Sequence, residues 1–490
     1  MGIIQRQGLK NILITYAGIL IGFVSLLIIQ PRFLTKEELG LTRVLFSFSA
    51  LIGTFMPLGV QFITLKYFPL FRNLDKRHHG FFGFMVLFPF VGYILASLVI
   101  FLFHELFVSQ YRAQSVLFTT YFDYVFPLIL VLGLINVLSS YCYAIYKTTV
   151  PSFLNDVVVR ILFIAIILIY YFGYVDLDKF ILIYILIYAL QLLLLFTYIL
   201  LYDRPGLKID FSFLKNKDPK TMISFGFMMS LAGLTSLGLK FLDIVLLGKY
   251  VALSLVGVYA IAAFIPTLIE APYNALDRII APKVANAWAN QNTEEIRDIY
   301  KKSTKYMLLA GGLLFIGINL NISTLMNLLP PGYNAGIPVV LIISLGTLLN
   351  MATGSNDSII YNSSKYRYGT YLLIFLFLFA FAVNIVFIPI YGIIGAALAT
   401  AASALLYNSI KYVIIYRLFN MQPFDGSTLR IIFVIVVTGT LSLFIPEAGS
   451  PYLSIAVKSI LITLLYLSLT YALKIVPEFH HHLLFWKKKG

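Results

Sequence analysis

Residues 179–201 read KFILIYILIYALQLLLLFTYILL, a long apolar run with one charge at its start. It is about as long as the ~20 residues a helix needs to cross ~30 Å of hydrocarbon. It has no alternation of period two, so it reads as a helix and not as a barrel strand. Runs of the same kind recur along the chain. They fall at roughly 11–29, 42–65, 81–103, 121–145, 156–174, 179–201, 222–247, 255–277, 305–328, 337–360, 370–389, 393–416, 429–445 and 452–474. A 490-residue chain that is 60% hydrophobic and only 12% charged lacks the polar side chains to cover a soluble globule. Lipid must solvate most of it, and in lipid every backbone group must be satisfied internally. The reading is an all-α polytopic membrane protein with about 14 transmembrane helices.

Charge orients the spans. With the N-terminus inside, Arg6, Lys10, Lys66, Arg72, Lys76, Arg77, Arg204, Lys208, Lys215, Lys217, Lys220, Arg278, Lys283, Arg297, Lys301, Lys302, Lys305 and Lys487 to Lys489 lie on one side. About 28 of the 36 Lys and Arg then face the cytoplasm. Asp176, Asp178 and the turn Pro330-Pro331-Gly332-Tyr333 fall outside. Both termini are expected inside. The net charge of +15 thus marks a membrane face opposite anionic lipid headgroups, and no nucleic-acid partner is implied. The first span lacks a small-residue cleavage site and reads as retained. The lone Cys142 excludes an internal disulfide and a multi-cysteine metal site. His480, His481 and His482 point in different directions beside Trp486 and the terminal lysines, so they read as an interfacial anchor and not as metal ligands. No cofactor is implied.

The longest cytoplasmic connections, 203–221 and 278–304, suggest a division into 1–210, 211–420 and an appendage 421–490 holding the last two spans and a basic tail. A weak echo relates the halves at an offset near 215. Leu39-Gly40-Leu41 leads to Pro57 as Val256-Gly257-Val258 leads to Pro272. Repeats of this kind underlie many transporters, with the substrate site between them. Pro282 to Lys305 carries Val284, Trp288, Ile296, Ile299 and Tyr300 at helical spacing and is expected to lie as an amphipathic helix on the inner surface.

Three stretches carry a family likeness. DIVLLG from Asp243 to Gly248, with Val256-Gly257-Val258-Tyr259-Ala260, resembles the seventh-to-eighth-span signature of polysaccharide exporters. Asn384 to Thr400, with Pro389, Gly392 and Gly395, resembles their eleventh-to-twelfth-span signature, and Pro31 to Leu41 with Leu58-Gly59-Val60 resembles their first two spans. The chain, over about residues 5–475, is similar to the polysaccharide transporters and O-antigen flippases of the multidrug/oligosaccharidyl-lipid/polysaccharide (MOP) superfamily. That resemblance implies two six-helix lobes in a V (MATE-like) plus two C-terminal helices, in a bacterial inner membrane. It also implies a substrate, an undecaprenyl-pyrophosphate-linked oligosaccharide moved from inner to outer leaflet for cell-surface polysaccharide such as lipopolysaccharide.

Ionisable groups inside spans cost several kcal/mol and need a partner, water or a function. A pyrophosphate headgroup requires charge-assisted donors, for which Arg43, Lys66, Arg160, Lys240 and Arg278 are the candidates. Asp156 and Arg160, four apart, share a helix face and can pair with each other. Asp243, Glu270 and Asp357 are the candidates for a coupling proton or sodium ion, the last two having no partner by spacing. Asn350, Thr353, Ser355, Asn356 and Ser358 read as polar glue between helices. A proton- or sodium-coupled multidrug exporter is the alternative function. A membrane-embedded polysaccharide polymerase is disfavoured, because no external connection exceeds 104–120, where His104 and Glu105 form the sole acid–base pair. No phosphate-binding loop points to ATP.

Overall fold

The computed structural model describes residues 3–72, 78–206, 208, 219–447 and 449–475. The basic groups at 76, 77, 215 and 217 and the histidine-lysine tail lie outside these residues. The chain packs as two units, Met1–Gly257 and Val258–Gly490.

The first unit opens with α1 (Ile3–Phe23), which runs through a π-helical turn, Val24–Ile29, into α2 (Gln30–Phe33). The second span begins at a capping box: Thr35 accepts from the Glu38 backbone while Glu38 returns a bond to the Thr35 N–H. It is broken into α3 (Lys36–Phe55) and α4 (Val60–Phe71). Pro57 withholds a donor there, and Gly59, at φ 88°, takes a left-handed turn that a side chain would resist. Then follow α5 (Phe81–Leu102), the short α6 (His104–Arg112) and α7 (Val116–Thr120), and α8 (Val125–Ala144). The fifth span is α9 (Thr149–Phe153), a second π-helical turn over Leu154–Val158, and α10 (Val159–Tyr171). Asp176 caps α11 (Leu177–Tyr202), and α12 (Pro219–Tyr250) closes the unit with the first residues of α13 (Leu253–Phe264).

Burial ranks these helices. The most apolar windows of α3 and of the α8 span are 67% buried, those of α5 and of the α9–α10 span 22%. So α3 and α8 are the axis of the unit, while the outer helices turn leucines such as Leu95, Leu98 and Leu193 outward. At one end Phe68, Phe82 and Tyr141 pack in a buried aromatic cluster. Tyr141 donates to Asp203, where α11 ends, and His78 stands 3.5 Å from the same carboxylate. The hydrogen bond to His78, ahead of that from Tyr141, holds the Asp203 carboxyl below its ordinary range despite partial burial.

The seventh span, α12, lies along α3 and α4 within the first unit. Where the start of α3 meets the start of α13 the fit is glycine on glycine. A Cβ on Gly40 would stand 2.0 Å from the Leu253 carbonyl oxygen, and one on Gly257 would stand 2.2 Å from that of Lys36. Each glycine also faces the other's amide nitrogen at 3.3 Å from that Cβ position. The contact is reciprocal, i to j and j to i, as across a two-fold axis. The echo Leu39-Gly40-Leu41 and Val256-Gly257-Val258 therefore meet in space.

In the second unit α13 bends by 49° into α14 (Ala271–Ala289), followed by α15 (Thr293–Asn327), α16 (Ile337–Ala352), α17 (Asn356–Tyr361), α18 (Arg367–Tyr391) and α19 (Ile393–Phe419). The last spans are α20 (Gly426–Ser442) and α21 (Pro451–Ala472), both packed on α15. Fourteen helical paths thus follow the fourteen apolar runs. Among the described residues eleven helices are long and apolar enough to cross a bilayer, and the bent pair makes up to twelve.

One expectation is overturned. Residues 282–305 are no single helix on the membrane surface: α14 continues to Ala289, turns at Asn290–Asn292, and α15 starts at Thr293. The apolar stripe has a protein partner. Val284, Ile296 and Tyr300 are buried with Ile359, Ile360, Ile415 and Met421, and Trp288 packs on Phe419. The 104–120 connection folds as α6 and α7.

Candidate functional site

A cavity of about 680 Å³ in the first unit opens where two helix irregularities face the axis. The break between α3 and α4 supplies Thr54, Gln61 and Phe62, and the π-helical turn of the fifth span supplies Asn155 and Asp156. A π turn inserts one residue and re-aims its neighbours, a device common at functional sites. Between them α8 contributes Asn136, Ser139, Ser140 and Tyr143, α11 contributes Gln191, and α12 closes the wall with Met229, Gly233 and Leu237.

The polar part of the wall is amide and hydroxyl, with Asp156 as its one charged group, and apolar side chains such as Phe62, Ile135 and Leu237 complete it. Gln61 Nε2 spans the helix break to donate to the Thr54 carbonyl at 3.1 Å. Ser140 and Ser152 turn their hydroxyl protons back onto their own helices, to the carbonyls of Asn136 and Thr148 at 3.0 and 3.1 Å. Asn155 donates to Asp156 at 3.0 Å, and Arg160 stands 3.8 Å from the same carboxylate, as their spacing of four suggests. The carboxylate is therefore compensated.

None of the five cations singled out from the sequence is in this wall. Arg43 is held in the body of the unit, donating to Gln30 Oε1 at 2.7 Å while Gln30 donates to Ser25 at 2.9 Å. This chain ties α3 to the π turn of the first span. Arg160 also donates to the Gly18 carbonyl, so it braces the first span against the fifth and reaches the cavity through Asp156. Lys66 is exposed and lies 3.9 Å above the Phe225 ring on α12, a cation–π contact. Lys240 and Arg278 are exposed. Asp243 is half-buried on α12, on the same helix as Lys240.

The second unit holds a polar network of its own. Asp357, expected to lack a partner, receives Lys411 Nζ at 3.0 Å and the Tyr407 hydroxyl at 3.2 Å. The partner is 54 positions away on α19, out of reach of a spacing argument. Lys411 is 1% exposed and sits 4.0 Å from the centroid of the Tyr407 ring. Ser358 donates to Asp277 on α14 at 2.8 Å. Asn408 Oδ1 accepts from Thr353 and Asn356, so the amides of the tenth span bind it to α19. The Glu270 carboxylate, at the bend before α14, takes no hydrogen bond or ion pair from the described residues, while its backbone carbonyl accepts from Asn274.

Sequence reasoning missed Gln61, Asn136, Ser139, Asn155 and Gln191, because it searched the spans for charge. Their signal was present: Gln191 interrupts a run of leucines, and an amide there needs a partner nearly as a charge does. It also passed over Lys411, a cation within the twelfth span.

No family model matches the chain, and no curated protein does. Solved structures do. The lipid II flippase MurJ in an inward closed conformation superposes with a TM-score of 0.67 at 14% identity, over 92% of this chain and 98% of that one. The chain shares the fold of that flippase. An inward-facing multidrug resistance MATE transporter of the MOP superfamily gives 0.63 at 13% identity, over 82% of this chain and 94% of its own. The Vibrio cholerae MATE transporter VcmN, in a variant form, gives 0.53 at 13%, over 84% and 96%.

Proposed function

We propose that this chain is a bacterial inner-membrane transporter that flips a lipid-linked oligosaccharide, carried on undecaprenyl pyrophosphate, from the inner to the outer leaflet by alternating access. Its six-span lobes are taken as 1–210 and 211–420. The observation that carries the reading is the cavity wall. Amides and hydroxyls suit a sugar, and the one carboxylate, neutralised by Arg160, offers little to a cationic drug. The larger share of the chain covered by the lipid flippase than by the MATE transporters supports it too.

Of the five cations, Arg160 stands nearest the cavity and is assigned to the diphosphate. Arg43, Lys66, Lys240 and Arg278 serve as donors along the headgroup's path. Net transport draws on a proton or sodium gradient through Asp243, Glu270 or Asp357. Glu270, whose carboxylate takes no hydrogen bond or ion pair from the described residues, heads that group. A multidrug exporter coupled to either ion is the competing reading.

The two are separated in proteoliposomes of the full chain. A fluorescent undecaprenyl-diphosphate sugar should gain access to an external quencher at a rate that rises with protein, while rhodamine 6G is not accumulated. Dye accumulation without sugar flipping defeats the proposal.

A further inference from the structure

We infer that Lys411 is a tethered cation: its ammonium fills the place at which Asp357 would otherwise bind a free alkali ion, so this carboxylate takes no sodium in the native protein. The inference rests on the transporter reading and narrows its coupling step, because it withdraws Asp357 from the candidates for sodium.

The place has the make-up of an ion site. The tenth span is not one helix: α16 ends at Ala352, Gly354 turns the chain at φ 59°, and α17 begins at Asn356. A Cβ on Gly354 would run into the Thr304 hydroxyl, so the break is packed against α15. Helices broken inside a span are where transporters hold coupling ions. Asp357 follows the break, and two neighbouring helices turn phenols toward it. Tyr407 of α19 donates to its Oδ1 at 3.2 Å, and Tyr273 of α14 hydrogen-bonds the same carboxylate. At Oδ2 stands Lys411 Nζ, 3.0 Å away and 4.0 Å from the centroid of the Tyr407 ring. Carboxylate and phenol oxygens suit a hard cation, and a ring face attracts one.

Here the cation comes with the chain. The Lys411 side chain is 2% exposed and that of Asp357 33%. The carboxylate is open on one side and the ammonium is not, so the charge that neutralises Asp357 is sealed in and does not exchange with ions in solution. As glue between α17 and α19 the pair would be a poor choice. Apolar side chains of the same volume hold helices together as well as a buried ion pair, without its desolvation cost. Asn408 already ties α19 to Thr353 and Asn356 by neutral hydrogen bonds. An ionisable pair kept inside a span points to a function. Asp277, also within range of the Lys411 charge, accepts from Ser358 at 2.8 Å and takes no ion pair among the described residues. The ammonium is committed to Asp357.

The test is thermal unfolding of the full chain in one detergent, in sodium chloride against choline chloride at equal ionic strength. Lys411→Ala empties the place and leaves the carboxylate. Its melting temperature should rise with sodium in a saturable way and recover roughly half of what the substitution lost, as a ligand of the native state makes it do. That rise should disappear in Lys411→Ala/Asp357→Asn, and Lys411→Arg, which keeps the charge, should respond as the wild type does. Asp357→Asn should leave the wild-type response to sodium as it is. A Lys411→Ala protein indifferent to sodium overturns the inference. So does a wild-type sodium shift that Asp357→Asn abolishes, an arm that stands even if Lys411→Ala does not fold. Neither result touches the substrate, so the flippase reading survives both. Rhodamine 6G accumulation without sugar flipping defeats that reading whatever sodium does.

Discussion

A buried lysine against a carboxylate is the sharpest single-residue feature of the second unit. Lys411 and Asp357 meet at 3.0 Å, with Tyr407 sharing the carboxylate. Removing one partner of such a pair leaves the other charged in a poor solvent, which costs more than the pair contributed. Lys411→Met should lower unfolding free energy in detergent by about 3 kcal/mol, the low end for a broken buried pair, because a third of the Asp357 side chain is exposed. The double variant Lys411→Met/Asp357→Asn should recover most of that loss. Additive losses in a denaturation double-mutant cycle would mean the two groups are not coupled. The pair also shows what was legible at this scale. Asp156 and Arg160 were readable as partners because one helical turn separates them, whereas Asp357 and Lys411 are joined only by how α17 packs on α19. The amides of the cavity lay in plain view as polar letters in apolar runs, yet which of them share a wall depends on a helix break and a π turn that no spacing rule signals.

Elements were the most legible level, since the period and length of an apolar run are set by the bilayer and not by tertiary context. Each of the fourteen runs became a helical path. Breaks at Pro57 and at Pro266–Pro272 fell where prolines withhold donors. The failure at 282–305 is instructive: an amphipathic stripe says that a helix has an apolar neighbour, not whether that neighbour is lipid or protein. Small residues carry the next prediction, because apolar burial does not drive helices together in lipid and close backbone approach must do so. Gly40 and Gly257 touch the opposite backbone, while nothing lies within 4 Å of a Cβ at Gly317 in α15. Alanine should therefore act with opposite signs. Gly40→Ala and Gly257→Ala should destabilise by about 1–3 kcal/mol, the cost of overpacking. Gly317→Ala should stabilise by up to about 1 kcal/mol through helix propensity. Melting in one detergent decides it, and a stabilising Gly257→Ala would show that the reciprocal contact does not hold α3 to α13.

At the scale of the whole molecule the governing fact is the uneven distribution of a +15 charge along a chain that is 60% apolar. Translocating a loop rich in Lys and Arg is opposed, which predicts that these residues stay on the cytoplasmic face. Under that expectation the described turns would alternate between the two sides. Asp176 and Asp178 flank the start of α11, the turn between α15 and α16 contains Pro331 and Gly332, and Arg297, Lys301 and Lys302 follow the turn between α14 and α15. The native sequence makes this topology directly testable, because its lone thiol, Cys142, is 0% exposed and gives no labelling background. Tyr174, 79% exposed between α10 and α11, and Gln291, exposed between α14 and α15, are the reporter positions. On intact cells a membrane-impermeant maleimide should label Tyr174→Cys at once and Gln291→Cys only after the membrane is opened. Labelling in the reverse order would invert the protein. Prompt labelling of both would put an even number of crossings where α11, α12 and the bent α13–α14 pair supply three spans, and would reduce one of them, α12 or the bent pair, to a segment that enters and leaves the bilayer on one side.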